Sequence, residues 1–98
     1  MFLGSLTFDL LLGDVHSLKE KRAVVRPIVA ELRRRFDVSA AETGHLDLHR
    51  RAEVAVALVA ADAGHAREVL DACERLVAAH PEVELLSTRT RIRGDEDD

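Results

Sequence analysis

EVAVALVAA, Glu53 to Ala61, is apolar on both faces of an extended chain, with Val54, Val56 and Leu58 on one side and Ala55, Ala57 and Val59 on the other. A strand exposed to water on one face alternates apolar and polar residues, whereas one with neighbours on both edges and little water above or below does not. This segment is therefore expected to run through the centre of a sheet. The chain on either side of it decides which sheet.

Downstream, Asp62 is placed to cap a helix whose apolar stripe is Ala66, Val69, Leu70, Cys73, Leu76 and Val77, and Pro81 ends it. Val83 to Ile92 alternates again and predicts the last strand. Upstream, Gly44 to Arg50 is a connector in which Asp47 can start a turn, and Val38 to Thr43 is a short, alanine-diluted strand. Ser17 with Glu20 fits a capping box, in which the serine oxygen accepts from the third helical amide and the glutamate reaches back to the amide of the cap. The helix that follows carries Leu18, Val25, Val29, Leu32 and Phe36 in one arc, with Ile28 beside them; Pro27 inside it predicts a kink. From Phe2 to Leu12 the even positions are apolar or glycine, while Ser5, Thr7 and Asp9 fall between them, so the chain begins with a strand.

Strand, helix, strand, strand, helix, strand is the split βαβ order of the ferredoxin-like α+β fold: a four-stranded antiparallel sheet, first and third strands central, both helices on one face. Residues 1–93 are read as a single domain of this kind and residues 94–98 as an acidic, disordered tail. With 98 residues, 47% of them hydrophobic, the chain can bury a core without disulfides or a structural metal. No apolar run is long enough to span a membrane, and the N-terminal stretch lacks the basic flank of a signal peptide. One cysteine builds no disulfide framework. A soluble cytoplasmic protein is expected.

The formal net charge is -4, but four of the 18 acidic residues are Asp95 to Asp98; setting them aside leaves 14 acids against 14 bases. The charge is segregated: Ser17 to Phe36 holds seven basic and two acidic residues, and Asp62 to His80 two basic and four acidic. A local basic face is compatible with the acidic total.

Three blocks, SLKEKR at Ser17–Arg22, RFDVSAAE at Arg35–Glu42, and HLDL followed by RRAEVAVALV within His45–Val59, resemble in order and spacing those of the YlxP-like family of small bacterial proteins of unknown function. The similarity runs over about residues 1 to 93. It implies a ferredoxin-like fold and a gene commonly found among translation and ribosome-maturation genes, and it implies no enzyme activity and no catalytic residues. Gly44 stands where the family usually has an acid, and His49 where it usually has tryptophan.

Placed at about 100° per residue, Lys19, Arg22, Arg26 and Arg33 form a basic ridge beside the apolar arc of the first helix, able to track a phosphate backbone or simply to face water. Lys19 and Lys21 sit near the helix N-terminus, where the dipole disfavours cations, which points to an anion in that neighbourhood. Arg89, Arg91 and Arg93 share one parity on the last strand and face away from the helices in the simplest register. Base stacking on that sheet face is not expected, because the chain has no Trp or Tyr and its three Phe residues are assigned to the core and a helix end. Ala55, Ala57 and Val59 would instead leave a small apolar patch there, suited to a homodimer interface.

His45, Asp47 and His49 alternate in an extended segment, but a transition-metal site wants a third or fourth oriented ligand and none has a fixed place in the sequence; capping and turn formation account for Asp47 equally well. Cys73 lies on an apolar stripe with no base spaced to activate it. No cofactor is implied. The reading is a non-enzymatic accessory protein that binds RNA or a ribosome-associated partner through the basic helix face; the alternative is a homodimeric module working through its open sheet face without nucleic acid.

Overall fold

A computed structural model of the chain describes residues 1–96. Six elements follow the expected order: β1 Phe2–Leu12, α1 Leu18–Arg35, β2 Ser39–Gly44, β3 Arg51–Ala60, α2 Ala63–Ala78 and β4 Val83–Gly94. The strands form one antiparallel sheet in the order β2-β3-β1-β4, so the EVAVALVAA strand and the first strand are central. This is the ferredoxin-like arrangement, with both helices on one face of the sheet.

The even residues of β1 and β3 make that face. Leu6, Phe8, Leu10 and Leu12 of β1 and Ala52, Val54, Val56 and Leu58 of β3 are buried beneath Val24, Val25, Ile28 and Leu32 of α1 and Ala66, Leu70, Cys73 and Val77 of α2. Each fully covered Val, Leu, Ile or Phe among them contributes about 1.5–3 kcal/mol of transfer free energy, which is what holds helices to sheet. Gly4 lets α2 approach: a Cβ there would stand 3.2 Å from both Leu58 Cδ2 and Leu70 Cδ1. The opposite face has no helix over it and carries Leu3, Ser5, Thr7 and Asp9 against Val59, Ala57, Ala55 and Glu53.

Both helices start as their sequences require, with one difference. Ser17 Oγ accepts from Glu20 N at 3.1 Å and Asp62 Oδ1 from His65 N at 2.8 Å. The Glu20 carboxylate, however, accepts from His16 N at 2.6 Å rather than from the amide of Ser17, clamping one residue further back than a capping box does. Pro27 is accommodated inside a continuous α1, because the apolar face carries on in phase across it.

The buried side of α1 is also not quite where its aliphatic residues place it. Lys21, Val24, Val25, Ile28 and Leu32 are the buried set, a face centred near Lys21 and rotated by about 60° from the arc of Leu18, Val29 and Phe36. Lys21 has only 2% of its surface exposed and is the one charged residue in the core among the described residues.

Two bulges interrupt the sheet. Thr43 is the extra residue between the Glu42–Val54 and Gly44–Glu53 pairs, and Leu86 the extra one between Ser87–Asp9 and Leu85–Leu10. Since Asp9 pairs with Glu53, both bulges lie on the same row across the sheet. The ladder between β1 and β4 continues past Gly94, where Asp95 N donates to Met1 O at 3.0 Å. Of the acidic tail expected at 94–98, Asp97 and Asp98 lie outside the described residues. Among the described residues no helix is long and apolar enough to cross a membrane.

Candidate functional site: two basic surfaces and a polar row

The hexamer SLKEKR turns out to serve two environments. Lys21 points inward, where its Nζ donates to His45 O at 2.6 Å and lies 2.9 Å from Glu42 Oε2. The lysine's aligned hydrogen bond goes to the carbonyl, and its approach to the carboxylate is an ion pair without hydrogen-bond geometry. The anion near this helix terminus is therefore Glu42 of the chain itself. His45, whose carbonyl takes that bond, adopts φ 55, the left-handed region that bulky residues enter only when other contacts hold them.

Lys19, Arg22 and Arg26 point the other way. All three are exposed, and none has a hydrogen-bond or ion-pair partner among the described residues. Arg33, the fourth member of the expected ridge, is used differently: its Nε and Nη2 donate to Ala40 O at 2.9 and 2.5 Å, covering a carbonyl on the edge strand β2.

The second basic surface is the arginine row on β4. Arg93, Arg91 and Arg89 pair in register with Leu3, Ser5 and Thr7, so all three stand on the face away from the helices, as their parity predicts. They too are exposed and without partners among the described residues. The helix ridge and the strand row thus lie on opposite sides of the molecule and make no continuous patch.

Ala55, Ala57 and Val59 are on the open face as expected, with Ala55 half-buried by its neighbours. Val59 is 64% exposed and pairs with Leu3, 53% exposed, which makes the apolar end of this face. Cavities of about 380 and 450 Å³ flank it, the first lined by Leu3, Asp37, Val38, Ser39 and Val59, the second by Arg33 together with smaller residues that include Ala41, Ala55 and Ala57.

The other end is polar and centres on the row of the two bulges. Arg51 Nη2 donates to both oxygens of Asp9, at 2.7 and 2.6 Å, and this hydrogen bonding raises the guanidinium pKa, against the smaller opposing effect of burial. His45 Nε2 lies 3.6 Å from the same carboxylate, and Thr43 Oγ1 donates to Glu53 Oε2 at 2.8 Å. The sequence hides this cluster because Asp9, His45 and Arg51 come from three separate segments; the parity of Asp9, opposite to that of the core residues, is the one local signal. Asp47 and His49 are exposed and do not join it, and among the described residues no three His, Cys, Asp or Glu side chains converge as a metal site. Cys73 is fully buried, and burial pushes its thiol up to about 11.

The family described as Protein of unknown function (DUF503) matches residues 3–90. The uncharacterized protein YlxP of Bacillus subtilis (strain 168) is 31% identical over 88 residues, which covers 90% of this chain and 96% of that protein. Among solved structures, a de novo designed protein with a ferredoxin fold superposes with a TM-score of 0.55 over 98% of this chain and 88% of its own, at 12% identity, a likeness of fold alone. The resemblance seen in the SLKEKR, RFDVSAAE and RRAEVAVALV blocks is thus borne out by a match along nearly the full length, and the chain belongs to the DUF503 family, with YlxP as a relative.

Proposed function

We propose that the protein is a non-enzymatic accessory module that binds RNA, free or within a ribosomal particle, along the outward ridge of α1. The observation that carries this reading is the set of three aligned, exposed cations Lys19, Arg22 and Arg26, which have no partner among the described residues. A row of this kind on a rigid helix meets a phosphate backbone without base contacts, which suits a chain with no exposed aromatic platform. The gene neighbourhood implied by the YlxP-like resemblance points the same way. A non-catalytic role is supported by how the reactive groups are occupied: Asp9 is held by Arg51, and the one thiol is buried with its pKa raised.

Fluorescence anisotropy with labelled single-stranded and duplex RNA tests the proposal. Three phosphate contacts predict a slope of log K against log salt of about -2 to -3, and charge reversal by R22E/R26E removes binding. Affinity that ignores salt, or that survives R22E/R26E, overturns it.

A second reading is favoured by the exposed Leu3–Val59 pair: self-association through the open sheet face, with Ala55 and Ala57 in the interface. Light scattering coupled to size exclusion at micromolar concentration decides that reading. A dimer that V59D converts to monomer supports it, and a monomer at all concentrations removes it.

A further inference from the structure

The two edges of the sheet are treated differently. The β2 edge is six residues long, bulged at Thr43, and has the Ala40 carbonyl covered by Arg33. The β4 edge runs for 12 residues and, among the described residues, pairs with β1 alone, so the outer side of Val83 to Arg93 meets no other described strand. On its open-face side stand Arg89, Arg91 and Arg93; on its other side Thr88 and Thr90 are exposed as well, although they share parity with the core. The Arg side chains make no intramolecular bond among the described residues.

From this edge we infer that β4 is a docking site for an extended acidic segment of another protein, added as a fifth strand, with carboxylates at every second position. An exposed strand edge offers main-chain hydrogen bonds to any extended chain, and its side chains choose among them. Side chains at alternate strand positions are about 6.6–6.8 Å apart, so three arginines match three acidic residues spaced i, i+2, i+4 on the added strand. The intervening residues fall beside Thr88, Thr90 and Ile92, where β-branched side chains fit. The charge pattern also disfavours a second copy of β4 paired about Arg91: that antiparallel register would set one arginine row beside the other on the same face, with like charges in neighbouring cross-strand positions. Charged edges deter self-pairing in general, and here the same charges select a complementary strand. A nucleic acid could answer the arginines but would leave the backbone edge unused.

The test is fluorescence anisotropy of the full chain with a labelled peptide of alternating Glu and Val, beside three control ligands: the same peptide with Pro for Val, one with Lys for Glu, and a uridine oligonucleotide. The alternating acidic peptide is expected to bind, with amide shifts in β4 by NMR; the Pro and Lys peptides are expected to fail. Binding of R89E/R91E/R93E should fall by at least about tenfold, while R22E/R26E, on the opposite side, should leave it unchanged. The ligand controls on the unaltered chain keep the proposal testable if the triple variant folds poorly. Equal binding of the Pro peptide, no binding of the acidic peptide, or oligonucleotide binding lost only in the triple variant would each overturn strand addition. The two peptide outcomes are silent on whether RNA binds α1, whereas oligonucleotide binding lost only in the triple variant would count against that reading as well.

Discussion

Lys21 Nζ and Glu42 Oε2 lie 2.9 Å apart, but the two residues are unequally placed: the lysine side chain is 2% exposed and the glutamate 24%. The pair ties the start of α1 to the end of β2, and through the His45 carbonyl to the loop leading into β3. Removing either partner strands the other, and the stranded group that water reaches least costs most. Glu42→Gln should therefore destabilise by about 3 kcal/mol and Lys21→Met by only about 1–2 kcal/mol, while Lys21→Met with Glu42→Leu should recover most of the loss. Urea denaturation of the three variants measures the order; equal losses in the single variants would refute the asymmetry.

Arg33 and the ridge residues should separate cleanly. Arg33→Ala uncovers the Ala40 carbonyl on an edge strand and should cost about 1 kcal/mol, with faster amide exchange in β2. Arg22→Ala and Arg26→Ala, exposed and without partners among the described residues, should stay within about 0.5 kcal/mol of the parent. A thermal melt compares all three under one set of conditions.

Gly44 is constrained by its neighbour rather than by its own backbone. A Cβ at this position would stand 2.7 Å from Glu53 Oε2 and 3.2 Å from Glu53 Cβ. Gly44→Ala should displace the Glu53 side chain, break its bond with Thr43 and cost about 1 kcal/mol; Gly44→Asp should cost more, through like charge. Glu53→Ala in the Gly44→Ala background should restore most of the loss, which a double-mutant cycle reads directly.

Cys73 should be silent toward a thiol reagent such as DTNB at pH 8 in the native protein and fully reactive in denaturant. Its pKa is raised from 9.0 to about 11 by burial, so both states hold the proton below about pH 9 and this contribution to stability is fully present there. As pH rises toward 11 the unfolded chain ionises first, and stability is lost, by an amount of order 2 kcal/mol. Denaturation midpoints of the parent and Cys73→Ala should converge over that range; a constant gap would refute the mechanism.

Much of the architecture was legible because it rests on local pattern. The period of two in β1, the apolar run of β3 and the caps Ser17 and Asp62 are set by neighbouring residues, and the structure follows them to within two residues. The placement of Arg89, Arg91 and Arg93 on the open face was readable for the same reason, since parity within one strand decides it. Lys21 and Arg33 were not. Both sit among cations that look alike in sequence, and what distinguishes them is a carboxylate 21 residues downstream of one and a carbonyl on an edge strand beside the other.

The amino-acid sequence by itself determined the order of elements, the side of each strand that faces the core and the family, because these depend on periodicity, capping and local composition. Only the tertiary structure decided which positive charges are still free to bind. That depends on which strands end up as edges, where Thr43 and Leu86 shift the register, and how far α1 rolls on the sheet to bury Lys21. Each is the outcome of packing distant segments against one another, and no local pattern encodes it.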